Sequence, residues 1–280
     1  MTSTIDTTAP DLGAVKQRQQ LAWSSGDFAV VAARIVLVAE QLCDSADLHA
    51  GWHVLDVATG SGNAAIAAAR QGCTVIGVDY VPALLERGRQ RAAVEGLEVG
   101  FLEGDAEALP FPDRSFDAVT SVFGSMFAPD HAKAASELLR VVKAGGTIAL
   151  ASWTPDGFIG DLFRTTAKHV PPPAGVASPM LWGTESHLRD LFGESISSLE
   201  VTERTFTWRF ESAEEFVDFF RTWYGPTLKA FAAVEGETRK ALESDLVALA
   251  RKHDRLGAED GAIAIPATYI EAVTVTKEDL

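Results

Sequence analysis

The amino-acid sequence predicts an α/β fold: a mostly parallel sheet with helices on both faces. Three observations predict it. Between residues 53 and 153, apolar runs of strand length alternate with helix-period segments, which implies parallel strands joined by right-handed crossovers. A glycine-rich bend sits between the first run and the first helix of this series, in "VLDVATGSGNAA" (54–65). Hydrophobic residues make up 47% of the 280, enough for a sizeable core in one large domain, or in one domain with a smaller cap.

The elements follow in order. Residues 1–12 are polar and read as a frayed tail. From Ala14 to about Leu42 the pattern is helical, broken at "SSGD" (24–27), where Ser25 or Asp27 can cap the second piece. "HVLDVAT" (53–59) reads as a buried strand, and "NAAIAAARQG" (63–72) as a helix closed by Gly72. "TVIGVDY" (74–80) is the second strand. The helix at 81–96 carries Pro82 in its first turn and Gly96 at its end. "VGFLEGDA" (99–106) is the third strand, "LPFPDRSF" (109–116) a turn-rich connection and "FDAVTSVFG" (116–124) the fourth strand. Asp130 can cap a helix over 130–142, and "KAGGTIALASW" (143–153) is a glycine turn entering a fifth strand.

After Trp153 the rhythm breaks. Residues 154–185 hold five prolines, Pro155, Pro171, Pro172, Pro173 and Pro179, around a helix over 158–170. A short helix follows at 184–193 and an alternating strand at 197–210. Ser212 with Glu215 three residues on forms a capping box for a helix at 212–225. A long amphipathic helix covers 235–257. The strand at 262–277 contains Pro266, which marks a bulge or an edge.

Composition excludes several classes. With 24 Lys and Arg against 39 Asp and Glu, the formal charge is −15, which repels polyphosphate partners and argues against nucleic acid. Cys43 and Cys73 offer neither a disulfide framework nor zinc spacing and read as apolar filler, so no metal is expected. The first residues lack the basic flank and apolar stretch of a signal peptide, and no apolar run approaches the ~20 residues of a membrane span. A cytoplasmic protein without a membrane partner is the expectation; the oligomeric state is left open.

The bend reads Gly60-Ser61-Gly62-Asn63-Ala64-Ala65, a GxGxxA pattern after a strand and before a helix. Glycines permit the sharp turn and a close ligand, and the helix start attracts an anion. Asp79 ends the second strand 19 residues after Gly60, where a carboxylate can accept both hydroxyls of a ribose. Asp56 lies inside the motif, spaced D-x-A-x-G-x-G with Ala58. A carboxylate there disfavours a pyrophosphate and suits the ammonium and sulfonium of S-adenosylmethionine (AdoMet). Asp105-Ala106, at the end of the third strand, can meet the adenine amino group and a ring nitrogen.

Taken in order, "VLDVATGSGNAA", "GVDY", "GDAEALPFPDRSFDAV" and "ELLRVVKAGGTIAL" resemble the successive motifs of the class I AdoMet-dependent methyltransferases, with a closer look of the ubiquinone/menaquinone-type branch. The resemblance covers about residues 52–153. It departs from the family at Ala144, where a proline usually precedes the Gly-Gly turn. It implies a Rossmann-like seven-stranded sheet, with strands six and seven at 197–210 and 262–277 and the last strand antiparallel beside strand five. It implies that Gly60 and Gly62 border the methionine part, Asp56 orients the amino end, Asp79 holds the ribose, Tyr80 packs on adenine, Asp105 and Ala106 read the adenine edge, and Phe123 lines the methyl region. The chain then divides into an N-terminal helical lid (1–45), where Trp23 and Phe28 cover the cofactor; an AdoMet-binding core (46–153); cap insertions (154–196 and 211–260); and the final strands (197–210 and 261–277).

Loops at the carboxyl ends of the strands are the place for a methyl acceptor. They supply Met126, Phe127, Trp153 and Phe158, and the insert supplies Trp223 and Tyr224, although each could equally be core filler. Methyl transfer depends chiefly on alignment and desolvation. If a base is needed, His131, His169, His187 and Tyr224 are the candidates, and His131, just past the strand-four loop, is the best placed. No Asn/Asp-Pro-Pro-aromatic tetrapeptide follows strand four, and no carboxylate cluster suggests magnesium. The expected activity is transfer of a methyl group from AdoMet to a small apolar or aromatic molecule at O, C or N, leaving S-adenosylhomocysteine. The alternatives are a non-catalytic AdoMet-binding regulatory protein and an NAD-type oxidoreductase.

Overall fold

Asp11 opens the first helix, α1 (Leu12–Trp23), by accepting the Ala14 N–H at 3.0 Å. The chain breaks where expected, at a left-handed Gly26 (φ +71°), and Asp27 caps α2 (Phe28–Ala32). Ser25 is not the cap: its hydroxyl donates back to the Ala22 carbonyl. A 3₁₀ turn leads into α3 (Val36–Ser45). These coordinates are a computed structural model, which describes residues 10–257 and 261–279; most of the expected frayed tail therefore lies outside the described residues.

The first half alternates β1 (His53–Val57), α4 (Asn63–Arg70), β2 (Thr74–Asp79), α5 (Pro82–Val94), β3 (Val99–Glu103), β4 (Phe116–Val122), α6 (His131–Val141) and β5 (Val142–Trp153). Strands β1, β2, β3, β4 and β5 pair in parallel. Four of the five β1 residues are buried, because a central parallel strand is covered on both faces. Asp130 caps α6 through the Lys133 N–H. The glycine turn expected at 143–146 is instead a bulge within β5: its register with β4 jumps from Phe116↔Val142 to Ala118↔Thr147.

In the second half come α7 (Phe158–His169), α8 (Glu185–Phe192), β6 (Ile196–Phe210), α9 (Ala213–Trp223), α10 (Gly225–Ala232), α11 (Gly236–His253) and β7 (Ile263–Thr276). Ser212 accepts the Glu215 N–H, and Glu215 reaches back to the Glu211 N–H, closing the capping box one residue early. The strand order is β3-β2-β1-β4-β5-β7-β6, a seven-stranded mixed sheet with β7 antiparallel between β5 and β6. Pro266 needs no bulge. It pairs with Thr207 in unbroken register, and β5 ends opposite Tyr269, so the other side of β7 is a free edge there.

From β1 the chain moves outward through α4 to β2; from β4 it moves the opposite way through α6 to β5. Right-handed crossovers place these helices on opposite faces. The gap between them, above the carboxyl ends of β1 and β4, is the switch point of the sheet.

Candidate functional site

A cavity of about 860 Å³ opens at this switch point. Its floor is the end of β1. There the Asp56 carboxylate, 2% exposed, accepts the Thr59 hydroxyl at 2.6 Å, the Thr120 hydroxyl at 3.0 Å and the Ala65 N–H at 3.1 Å. The last of these donors belongs to the first turn of α4, so the acid is wired to the helix start. Burial pushes its carboxyl up to about 6 despite the three donors. Asp79 ends β2 and accepts the Gly60 N–H and the Val81 N–H, both at 2.9 Å; burial raises it likewise to about 6.

The bend is held from several sides. Gly60 and Gly62 are both left-handed (φ +55° and +84°). The Arg91 guanidinium on α5 donates to the Ser61 carbonyl and to Asn63 Oδ1, each at 2.7 Å. Two of the four described residues with side chains in the left-handed region stand here, Ala58 just past β1 and Phe123 just past β4, both at φ +52°. Such a conformation costs about 1–2 kcal/mol apiece, and both line the cavity. Gly124 cannot carry a side chain, since a Cβ would sit 2.7 Å from the Ala58 Cβ and carbonyl oxygen.

The structure gathers Trp23, Phe28, Asp56, Ala58, Gly60, Asp79, Tyr80, Asp105, Ala106, Phe123 and Phe127 around this one cavity. Gly62 lies beneath the bend, with Phe101 where its Cβ would go. Asp105 and Ala106 are not at the end of a strand as expected. They stand in a turn beyond β3, closed by the Asp105↔Ala108 bridge. Sequence reasoning missed the group that holds Asp105: Lys16 on α1, whose Nζ lies 2.6 Å from Asp105 and 2.5 Å from Glu107. Burial alone would lower this ammonium, but its bonds to the two carboxylates outweigh that and raise it. Gln19 donates to the Phe127 carbonyl and Gln20 to the Tyr80 carbonyl, so one face of α1 is tied to the cavity rim. The signal was present in the spacing: Lys16, Gln19, Gln20 and Trp23 fall at i, i+3, i+4 and i+7.

A second cavity of about 460 Å³ adjoins the first. The two share Trp23, Phe28, Ile35, Phe123 and Phe127, which together form a collar between them. Phe123 stacks on Trp153 (centroids 3.9 Å apart, planes at 2°), while Trp23 meets Phe28, Phe127 and Tyr224 edge-on. Trp153 and Tyr224 line this second space, as do Trp208 on β6 and Phe220 on α9, which the sequence did not single out.

Six expected positions, Met126, Phe158, Trp223, His131, His169 and His187, fall elsewhere. Met126 is 1% exposed and borders neither cavity; within its 3₁₀ turn it is the neighbouring Phe127 that turns to the site. Phe158 is fully buried between Phe216 and His253. Trp223 is 38% exposed. Phe220 and Tyr224, four residues apart, share the inward helical face, and Trp223 is rotated off it. Its carbonyl meets the N-terminal segment, accepting the Asp27 N–H at 3.2 Å. His131 borders neither cavity. Its Nδ1 lies 2.9 Å from His187 Nε2, its ring packs against Trp182, and burial lowers its pKa to about 4. His169 is held by Asp245 at 2.9 Å. Among the described residues no cluster of three or more His, Cys, Asp or Glu could hold a metal. No single described helix is long and apolar enough to cross a membrane.

Comparison with known proteins bears on this site. Residues 55–150 match the family model described as a methyltransferase domain. An uncharacterized protein of Mycobacterium tuberculosis is 39% identical over 255 residues, covering 89% of this chain and 93% of that one. A demethylmenaquinone methyltransferase of Deinococcus radiodurans is 40% identical over 131 residues, 45% of this chain and 54% of its own length. The crystal structure of the YcgJ protein from Bacillus subtilis shares the fold, with a TM-score of 0.58 and 22% identity over 86% of this chain and 98% of that one.

Proposed function

The chain belongs to the class I AdoMet-dependent methyltransferase superfamily, and from that premise we propose that its first cavity takes AdoMet and its second a small apolar or aromatic acceptor, methylated at O, C or N. The observation that carries this reading is the pair of cavities meeting at one aromatic collar. The larger holds two buried carboxylates and the left-handed bend; the smaller holds no charged residue.

The lining fits AdoMet. Asp56 and Asp79 would accept from an ammonium and a ribose, and Asp105 with Ala106 would meet the adenine edge; all four line the cavity. Tyr80 would supply a ring against the adenine, and Gly60 leaves space, with no atom but the Phe28 ring within 4 Å of where its Cβ would be. When bound, AdoMet supplies an electrophilic methyl group on a sulfonium. The residues of the chain align and dry the site: Phe123, Phe127, Trp23 and Phe28 exclude water from the collar. A cavity with buried carboxylates disfavours the pyrophosphate of a dinucleotide. Under this reading residues 1–45 act as a lid, 46–153 as the cofactor core, and 154–196 with 211–260 as the acceptor cap. The partner is a small molecule, with neither nucleic acid nor membrane, in the cytoplasm.

Calorimetry with AdoMet and S-adenosylhomocysteine, followed by incubation of metabolite extracts with methyl-labelled AdoMet, tests the proposal. Binding of both and one labelled product are expected. No binding of either sinks the cofactor reading; binding without a labelled product from any extract turns it to a non-catalytic binder.

A further inference from the structure

Phe123 belongs to the wall of both cavities, and its backbone is left-handed (φ +52°). A side chain stays in that region only where its surroundings hold it. The Phe123 N–H donates to the Ala151 carbonyl at 2.8 Å, and its ring stacks on Trp153. A third ring meets both members of this stack edge-on. Tyr269 on β7 lies 5.7 Å from Phe123 and 6.0 Å from Trp153 between centroids, with planes at 81° and 79°. It stands directly opposite Trp153 in the β5–β7 register, so the two side chains share one face of the sheet. Tyr269 is 1% exposed and borders neither cavity. A polar anchor sets its ring. The hydroxyl donates to Gln41 Oε1 on α3 at 3.0 Å, with Glu271 Oε1 at 3.4 Å as a second acceptor. Glu271, also 1% exposed, accepts the Ser45 hydroxyl of α3 at 2.9 Å and Arg204 Nε of β6 at 3.1 Å on its other oxygen. Burial, and next the Glu271 charge, raise the Tyr269 hydroxyl above the usual tyrosine range, so it remains a donor.

Resting on the reading of the two cavities as cofactor and acceptor sites, we propose that Tyr269 is a positioning residue for methyl transfer: anchored by Gln41 and Glu271, its ring fixes the Phe123–Trp153 stack where the two cavities meet. The physical reason is rotational. The last torsion of a tyrosine side chain is broad, so the ring plane can tilt unless its far end is held. The hydroxyl holds that end to α3 and to Glu271. Edge-on contacts depend on the plane of the ring, so a tilt of Tyr269 is passed to Phe123 and Trp153. Methyl transfer depends on alignment, and a displacement of about 1 Å can cost about 10²-fold in rate. Because Tyr269 lies behind the lining, losing its anchor leaves the groups that line the first cavity in place and disturbs the alignment across the collar.

The test labels the full chain with 5-fluorotryptophan, which gives a fluorine resonance for each of the six tryptophans. Trp153→Phe and Trp52→Phe identify two of them, and Trp52, packed on His49, serves as the remote control. Tyr269→Phe keeps the ring and removes the hydroxyl, and Glu271→Gln keeps the shape and removes the charge. In Tyr269→Phe the Trp153 resonance is expected to move or broaden while that of Trp52 stays, and Glu271→Gln is expected to give a smaller change of the same kind. S-adenosylhomocysteine affinity is expected to hold within about twofold, while the initial rate of labelled product from a metabolite extract at saturating AdoMet falls roughly three- to tenfold in Tyr269→Phe. A Trp153 resonance unmoved in both variants, or a moved resonance with an unchanged rate, overturns the proposal. So does a loss of S-adenosylhomocysteine affinity as large as the loss of rate, which is the mark of a merely structural residue. Failure of the parent chain to bind S-adenosylhomocysteine overturns the cofactor reading itself, and binding by the parent without any labelled product overturns the positioning role.

Discussion

The two glycines of the bend look interchangeable in sequence, yet their surroundings predict opposite consequences for alanine. At Gly62 (φ +84°) a Cβ would lie 2.9 Å from Phe101 Cζ and 3.0 Å from Cε1. The Phe101 ring has little room to retreat, because the same edge, Cε1 and Cζ, also fills the space over Gly88, where a Cβ would come within 2.6 Å. Gly62→Ala therefore adds left-handed strain of about 1–2 kcal/mol to overpacking of about 1–3 kcal/mol. Of a total stability of about 5–15 kcal/mol, a loss near 3 kcal/mol is large and lowers Tm by about 6–12 °C. At Gly60 (φ +55°) the nearest atoms to a Cβ are in the Phe28 ring at 3.7 Å, across the first cavity. Gly60→Ala carries the strain alone, about 1–2 kcal/mol, but puts a methyl group where the ligand should pass. The assays are urea unfolding and calorimetric AdoMet binding on both variants. Gly62→Ala should fail mainly in the first and Gly60→Ala mainly in the second. A Gly62→Ala protein within about 1 kcal/mol of the parent, or a Gly60→Ala protein that binds AdoMet normally, would refute the argument.

Other consequences can be measured. Asp56 and Asp79 are lifted to about 6, so a cationic ligand that needs them ionised should bind more weakly as pH falls from 7 to 5, by about tenfold per required carboxylate; a flat affinity profile over that range would show that neither acid senses the ligand. Their folded pKa exceeds the unfolded one, so the native state holds the extra protons between pH 4 and 6, and these two groups make stability fall as pH rises through that window. His131 works the other way: its folded pKa is lowered to about 4, so its contribution is present above pH 6.5 and is lost as pH falls toward 4. His131→Asn should flatten the unfolding free energy over pH 6.5–4.5 by up to about 3 kcal/mol, and an unaltered slope in urea titrations would contradict the burial argument. Lys16→Met should cost only about 1 kcal/mol of global stability, because the pairs are partly exposed, yet it should speed amide exchange in α1 and leave β1 and β4 protected; α1 exchange equal to the parent's would mean the helix is held without that lysine.

Much of the first half was legible because its signals are local. An apolar run, a glycine bend and a capping Asp130 each act within a few residues, so β1 to β5 and their helices sit close to the predicted positions. Asp56 and Asp79 were legible for the same reason: each ends or flanks a strand beside the bend. Boundaries missed where pairing with a distant strand prevailed over a local turn signal, as in the bulge of β5, which glycine content alone made look like a turn.

The aromatic residues show what the chain alone cannot decide. Composition and order determined that the loops after β4 and β5 and the insert are rich in Phe, Trp and Tyr. Which of them face a cavity depends on helical phase and on partners far away in sequence. Tyr224 and Trp223 are neighbours, and one lines the second cavity while the other is half exposed. Trp208 became a candidate only when β6, paired to β7 at the sheet edge, brought it beside Trp23 and Phe123. His131, best placed along the chain, was turned by α6 packing toward α8 and closed against His187. By itself the sequence determined the sheet, the bend and the acids around it, because backbone preferences and strand ends place them. Tertiary structure decided the second cavity and the Lys16 bond to Asp105, because both are made by side chains that meet only after the N-terminal helix and the insert have packed over the carboxyl ends of the strands.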